Sequence, residues 1–83
     1  MARVLLFGRL RDLAGAAELE LPSLAQMRTI ADARAWLAAR DPLLGAALAA
    51  PGVRVAVDRH FADDSAGIAE ASEIAFMSPL SGG

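Results

Sequence analysis

The chain has no cysteine and no lysine. The first absence removes disulfides, thiolate metal sites and cysteine nucleophiles together, and it agrees with a reducing compartment, so cytoplasm is the expected location. The second leaves no ammonium for a Schiff base or for general-base work, since all eight basic residues are arginine. Aromatics are scarce as well, at 5%. There is no basic excess: the formal net charge is −2 and the pI is about 5.1. Nucleic acid and an anionic membrane surface thereby lose their usual electrostatic attraction. Long apolar runs are missing too. Val4-Leu5-Leu6-Phe7 is closed off by Arg3 and Arg9 before it reaches the length of a signal-peptide core. The longest uncharged stretch, Pro42 to Val53, is shorter than the roughly 20 residues that span a bilayer.

Familiar catalytic signatures are also lacking. His60 is the only histidine, and with Asp58, Asp63 and Asp64 it makes at most a loose oxygen-rich loop without a calcium-loop pattern. No serine has a glycine-flanked nucleophile elbow, and no phosphate-binding G-x-x-x-x-G-K-[ST] exists. No metal site is expected, no cofactor bound by this chain, and no catalytic machinery of its own.

What is present describes one small globular domain. The 83 residues are 55% apolar, enough for a modest core but not for a deep, many-sided cleft. Arg3 to Leu10 reads as a β-favouring block, Gly15 as a turn, and Glu18-Leu19-Glu20-Leu21 as an alternating strand, together an N-terminal hairpin. Thr29 stands three residues before Asp32, a variant of the capping box, and Ile30, Ala33 and Leu37 follow at helical spacing. This predicts a helix over 30–40. Trp36 on that helix is assigned to packing. Asp41-Pro42 stops the helix, Leu43, Leu44, Ala47 and Leu48 form the inner face of a short second one, and Pro51-Gly52 ends it. Val53, Val55 and Val57 then alternate into an Asp58-Arg59 turn and His60-Phe61, a second hairpin. After a loop through Asp63-Asp64-Ser65 and Gly67, Glu73 to Met77 forms a last strand that Ser78-Pro79 terminates.

Hairpin, helix, hairpin and final strand imply an α+β fold, a mixed sheet with one main helix across it: the β-grasp arrangement of ubiquitin. The domain is expected over 1–79, with Leu80-Ser81-Gly82-Gly83 as a free tail. Extended, those four residues reach about 13 Å. Glycine suits an arm that threads a narrow channel, because it lacks a Cβ and presents an unhindered carbonyl.

The residues Val4-Leu5-Leu6-Phe7-Gly8-Arg9-Leu10-Arg11-Asp12-Leu13-Ala14-Gly15 and the ending Glu73 to Gly83 resemble the first and last segments of the small, sulfur-carrier subunit of molybdopterin synthase, and Val55-Ala56-Val57-Asp58 is similar to that family's middle strand. Two positions depart from its pattern: Ser78-Pro79 replaces Pro-Pro, and Ala71-Ser72-Glu73 replaces a Gly-Asp turn. The resemblance implies that an E1-like, ATP-using enzyme adenylates Gly83. A persulfide donor then supplies sulfur, and the resulting thiocarboxylate is passed to a pterin precursor in the large synthase subunit, within a heterotetramer. It further implies a docking face made of Phe7, Phe61, Met77 and Pro79 with Arg11 on its rim. A carrier for thiamine thiazole synthesis or another sulfur pathway, a ubiquitin-like protein modifier, and a plain interaction module with an idle tail are the alternatives.

Overall fold

The computed structural model describes residues 2–22, 25, 27–68 and 73–78. Five strands form one mixed sheet in the order β2-β1-β5-β3-β4. In chain order these are β1 (Ala2–Leu6), helix α1 (Arg9–Ala14), β2 (Glu18–Leu21), α2 (Ile30–Arg40), α3 (Pro42–Leu48), β3 (Arg54–Val57), β4 (His60–Ala62) and β5 (Glu73–Met77). β1 runs antiparallel to β2 and parallel to β5, and β3 runs antiparallel to both β5 and β4. This is the ubiquitin-like β-grasp topology, with the C-terminal strand β5 in the middle of the sheet.

The period-2 alternation explains the two faces. Val4, Leu6, Val55, Ile74 and Phe76 are buried on one side, where Ile30, Ala33 and Leu37 of α2, Leu44 and Leu48 of α3 and Leu10 of α1 complete the core. Trp36 packs at the edge of that core with the Arg40 guanidinium 4.7 Å over its ring.

Local chemistry sets the helix ends. Thr29 and Asp32 form a reciprocal capping box: the Asp32 amide donates to Thr29 Oγ1 at 3.3 Å, and Asp32 Oδ2 accepts from the amides of Thr29 at 3.0 Å and Arg28 at 2.9 Å. Those backbone bonds, from Arg28 first and then Thr29, hold the Asp32 carboxyl below its usual value. The amides of Ile30 and Ala31 donate to the carbonyls of Ala66 and Asp64, so the 63–68 loop satisfies the first turn of α2. Asp41 leaves the helical region at φ −143°, and its Oδ1 accepts from the Leu44 amide at 3.1 Å, capping α3 behind Pro42. Arg34 ties these parts together. Its Nε donates to Asp64 Oδ1 at 2.8 Å, a second guanidinium nitrogen donates to the Leu48 carbonyl, and the group lies 5.1 Å from the Phe76 ring centroid.

One expected element is corrected. The block from Arg3 to Leu10 is not a single strand: β1 stops at Leu6, and α1 occupies Arg9–Ala14. Gly8, at φ 61° and ψ −132°, adopts a backbone that a strand of L-residues does not allow, and the chain turns there. Gly15 ends α1 in the left-handed region, with its amide donating to the Arg11 carbonyl at 2.9 Å. The first hairpin therefore pairs as expected but is connected by a helix. The second is tight: Asp58 and Arg59 both have positive φ, 48° and 72°, as a two-residue type I′ turn requires. Asp58 also accepts the Glu73 amide on Oδ1 at 2.9 Å and donates its own amide to the Glu73 carbonyl at 2.8 Å, which fixes the start of β5.

Candidate functional site

The side of the sheet away from the helices carries the alternate residues: Arg3 and Leu5 of β1, Glu73, Ala75 and Met77 of β5, Arg54 and Ala56 of β3, and Phe61 of β4. The registers place Leu5 and Ala56 on either side of Ala75, Arg54 beside Met77, and Phe61 opposite Ala56. The Phe7 amide donates to the Phe76 carbonyl at 3.3 Å, so the β1–β5 ladder runs one residue past β1 and brings Phe7 level with Met77. An apolar strip thus crosses the C-terminal end of β5, from Phe7 over Met77 to the Arg54–Phe61 pair. Phe7 is 49% and Phe61 62% exposed, a large aromatic surface for so small a domain.

Of the residues expected on a docking face, Phe7 and Met77 are neighbours, and Phe61 lies on the same face two strands from Met77, with Arg54 between them. Arg11 is exposed on α1, and among the described residues no hydrogen bond or ion pair joins its side chain to that strip. Pro79, Leu80, Ser81, Gly82 and Gly83 lie outside the described residues, as do Ala71 and Ser72 of the Ala71-Ser72-Glu73 segment that departs from the family's pattern.

Two neighbours of the strip were not singled out from sequence. Arg54 lies over the Phe61 ring at 3.9 Å from the centroid, and this stacking presents a cation at the edge of the aromatic. The alternation of Val53, Val55 and Val57 already placed Arg54 on the opposite face, which was the available signal. Gly8 is the second. It sits beside Ser78, the last described residue before the tail, and a Cβ there would lie 2.8 Å from Ser78 Oγ. Beside the same residue a cavity of about 250 Å³ opens between α1 and the end of α3, lined by Leu10, Leu13, Ala47, Pro51 and Val53. At the opposite end of the open face Arg3 meets Glu73 at 3.1 Å and Glu18 at 3.5 Å, partly exposed contacts that add little stability.

Ser78, the last described residue, therefore follows directly on the central strand, on the side where Phe7 and Phe61 are exposed. The ThiS family profile matches residues 4–83. The chain belongs to the ThiS family. The ubiquitin-like sulfur carriers that the first and last segments resemble are thus its relatives, and membership extends through the helical region between Ser23 and Pro51. No curated protein was found to match the chain.

Solved structures share the fold of this ThiS-family chain over nearly its whole length. SAMP1 from Haloferax volcanii superimposes with a TM-score of 0.86 at 23% identity, covering 99% of this chain and 98% of that one. Small archaeal modifier protein 1 from Methanosarcina acetivorans gives 0.84 at 20%, covering 99% and 95%. A protein described as molybdopterin converting factor, subunit 1, from Pyrococcus furiosus gives 0.79 at 20%, covering 95% and 97%. No helix among the described residues is long and apolar enough to cross a membrane.

Proposed function

We propose that this chain is the sulfur carrier of molybdopterin synthesis, with the carboxylate of Gly83 as its working group. The observation that supports this most directly is the position of the end of β5: Met77 and Ser78 close the central strand beside Phe7 and the Arg54–Phe61 pair, so a partner that binds this face is also near the residues that follow in the chain. The neighbour described as a molybdopterin converting factor subunit favours the same pathway.

The chemistry follows from charge. An α-carboxyl with a pKa of about 3.3–3.7 is an anion at neutral pH and a poor electrophile. It attacks the α-phosphate of ATP on an E1-like enzyme, releasing pyrophosphate and leaving an acyl adenylate. A persulfide sulfur then attacks the carbonyl and AMP departs; a thiol splits the sulfur–sulfur bond, and the thiocarboxylate remains on Gly83. In the large synthase subunit that sulfur becomes the nucleophile for the pterin precursor. The catalytic groups belong to the partners, and this chain is recharged each cycle.

A second reading is favoured by a specific observation: two of the similar structures are archaeal modifier proteins. Activation is the same, but a target lysine replaces sulfur as the nucleophile. Intact-mass spectrometry after incubation with the cognate activating enzyme, ATP and a sulfur donor tests the carrier reading. Persulfide attack that exchanges one oxygen for sulfur raises the mass by about 16 Da. An unchanged mass with a demonstrably active enzyme removes the proposal, and a ladder of larger conjugates in cells would establish the modifier.

A further inference from the structure

The outer edge of β2 carries a second surface, separated from β5 by β1. β2 lies at one margin of the sheet and, among the described residues, pairs only with β1. The Leu6 amide donates to the Ala17 carbonyl at 2.9 Å. Ala17 is thus in a hydrogen-bonded pair, and by alternation so are Leu19 with Val4 and Leu21 with Ala2. Glu18 and Glu20 fall between these pairs, so their amides and carbonyls point away from β1. No described strand takes them up, and they stand two residues apart, the spacing at which an added strand would bond.

Behind this edge, between β2 and the helices, is a cavity of about 410 Å³ whose lining includes Leu19, Trp36, Leu37, Leu44, Glu20 and Arg40. Arg40 is stacked on Trp36 at 4.7 Å. Glu18 shares Arg3 with Glu73, and Glu20 has no ion-pair partner among the described residues. Toward the helices the edge meets a lining of mixed character, Leu19, Trp36, Leu37 and Leu44 with Arg40 and Asp41, and toward the open face it is anionic.

Charge decides the occupant. Two copies of the chain joined antiparallel through these residues would set Glu18 against Glu20 twice on one face, and like charges directly opposite one another destabilise a strand pair. Self-association at this edge is disfavoured on that ground, as protected edge strands generally arrange. A strand with cationic side chains opposite Glu18 and Glu20 gains attraction, while its alternate aliphatic side chains lie over Leu19 and reach the Trp36 cavity. We propose that the β2 edge docks an extended segment of a partner protein in which basic and aliphatic residues alternate, added to the sheet as a further strand. This does not depend on the reading of the tail.

Titration of the full, isotopically labelled chain with a capped peptide of alternating lysine and valine, about seven residues long as strands commonly are, tests it by amide chemical shifts. The amides of Glu18 and Glu20 are expected to shift saturably, and a glutamate–valine peptide of equal length to leave them unmoved. Raising ionic strength from about 0.01 M to 0.15 M shortens the Debye length from roughly 30 Å to 8 Å and should weaken binding several-fold. In the Glu20→Pro variant the lost amide faces outward, so pairing with β1 is retained while the added strand loses a donor, and binding should be abolished in a folded chain. The double variant Glu18→Lys, Glu20→Lys should exchange the peptide preference, which keeps the test available if proline unfolds the strand. Shifts confined to other elements, equal binding of both peptides, or undiminished binding by folded Glu20→Pro would each overturn the proposal.

Discussion

Gly8 faces Ser78 so closely that a methyl group on it would come within 2.8 Å of the Ser78 hydroxyl oxygen. The hydroxyl can rotate aside, but the backbone cannot: φ 61° with ψ −132° is glycine territory. Forcing an L-residue into such a region costs of order 1–3 kcal/mol. Gly15 provides the comparison, because its φ of 73° and ψ of 13° are ordinary left-handed values and nothing lies within 4 Å of a Cβ built there. Gly8→Ala should therefore lower the melting temperature more than Gly15→Ala, with each kcal/mol worth roughly 4–8 °C in a domain of this size. Calorimetry of the two variants checks the order; the reverse order would show that the turn at Gly8 relaxes freely.

The contact between the second and third helices gives an opposed pair of effects. Alanine is the better helix former by about 1 kcal/mol, so Gly45→Ala in an exposed helix would stabilise. Here a Cβ at Gly45 would lie 2.5 Å from the Ala38 Cβ and 2.6 Å from its Cα, and overpacking of this kind costs about 1–3 kcal/mol. Backbone proximity makes the steric cost the larger. Net destabilisation is expected, with partial rescue by Ala38→Gly in the double variant, since residues in contact do not add. Additive losses in a thermodynamic cycle would separate the two sites.

Much of the fold could be read before the structure because its signals are local. Thr29 and Asp32 are three residues apart, Asp41 precedes a proline, and the valines of β3 alternate within one short run. What could not be read depends on distant parts. α1 is six residues long and buries only Leu10, so its stability comes from packing on α3, and nothing in the run Val4 to Leu10 announces that Gly8 interrupts it. The Asp58-Arg59 turn was legible as a turn, but its positive φ values lack the usual glycine. The stacking of Arg54 on Phe61 likewise needs the β3–β4 register. For the tail, sequence remains the source: the diglycine and its proline are motifs of composition, and the structure contributes the strand from which they leave.

Acid should act through the two carboxyls held below their ordinary value. Asp32 is lowered by the Arg28 and Thr29 amides, and Asp63 by the hydroxyl and then the amide of Ser65. A folded-state pKa below the unfolded value means the stabilisation is present above about 3.9 and is lost as pH falls through the folded value. Denaturant titrations from neutral pH downward should show the decline beginning near pH 5. Asp32→Asn keeps one oxygen acceptor but no charge, so its stability should be lower at pH 7 and fall less steeply in acid. Parallel curves for the two proteins would remove Asp32 from the acid response.

The exposed strip makes a sharper demand on Phe61. Because the ring is 62% exposed and its close partner is Arg54 at 3.9 Å, removing it sacrifices roughly 0.5–1 kcal/mol of cation–π stability and little core. As a buried anchor in a complex it would be worth at least about 2 kcal/mol, near thirtyfold in affinity. Phe61→Asp should weaken binding to the large synthase subunit by that factor while lowering the melting temperature by no more than about 2–8 °C. Calorimetric titration measures the first and thermal unfolding the second. Affinity equal to wild type would take the docking face away from this side of the sheet.

Deletion of Gly83 isolates the tail, since it leaves every described strand and helix untouched and moves the terminal carboxylate back by about 3.5 Å. Partner binding should survive, because the strip of Phe7, Met77 and Phe61 is unaltered. Activity should not: reacting atoms must lie within roughly 3–3.5 Å, and a shortfall as long as that distance is beyond side-chain adjustment. The truncated chain should then occupy the synthase without turning over and compete with the thiocarboxylated wild type. Gly82→Ala should be milder, as a Cβ narrows the allowed backbone but leaves the carboxylate at its original distance. Pterin dithiolene formation, measured with charged wild type and an excess of the truncated chain, tests both halves of the argument. Full activity of the truncated chain alone would remove the terminal glycine from the mechanism, and a lack of inhibition would show that the strip does not hold the chain to its partner.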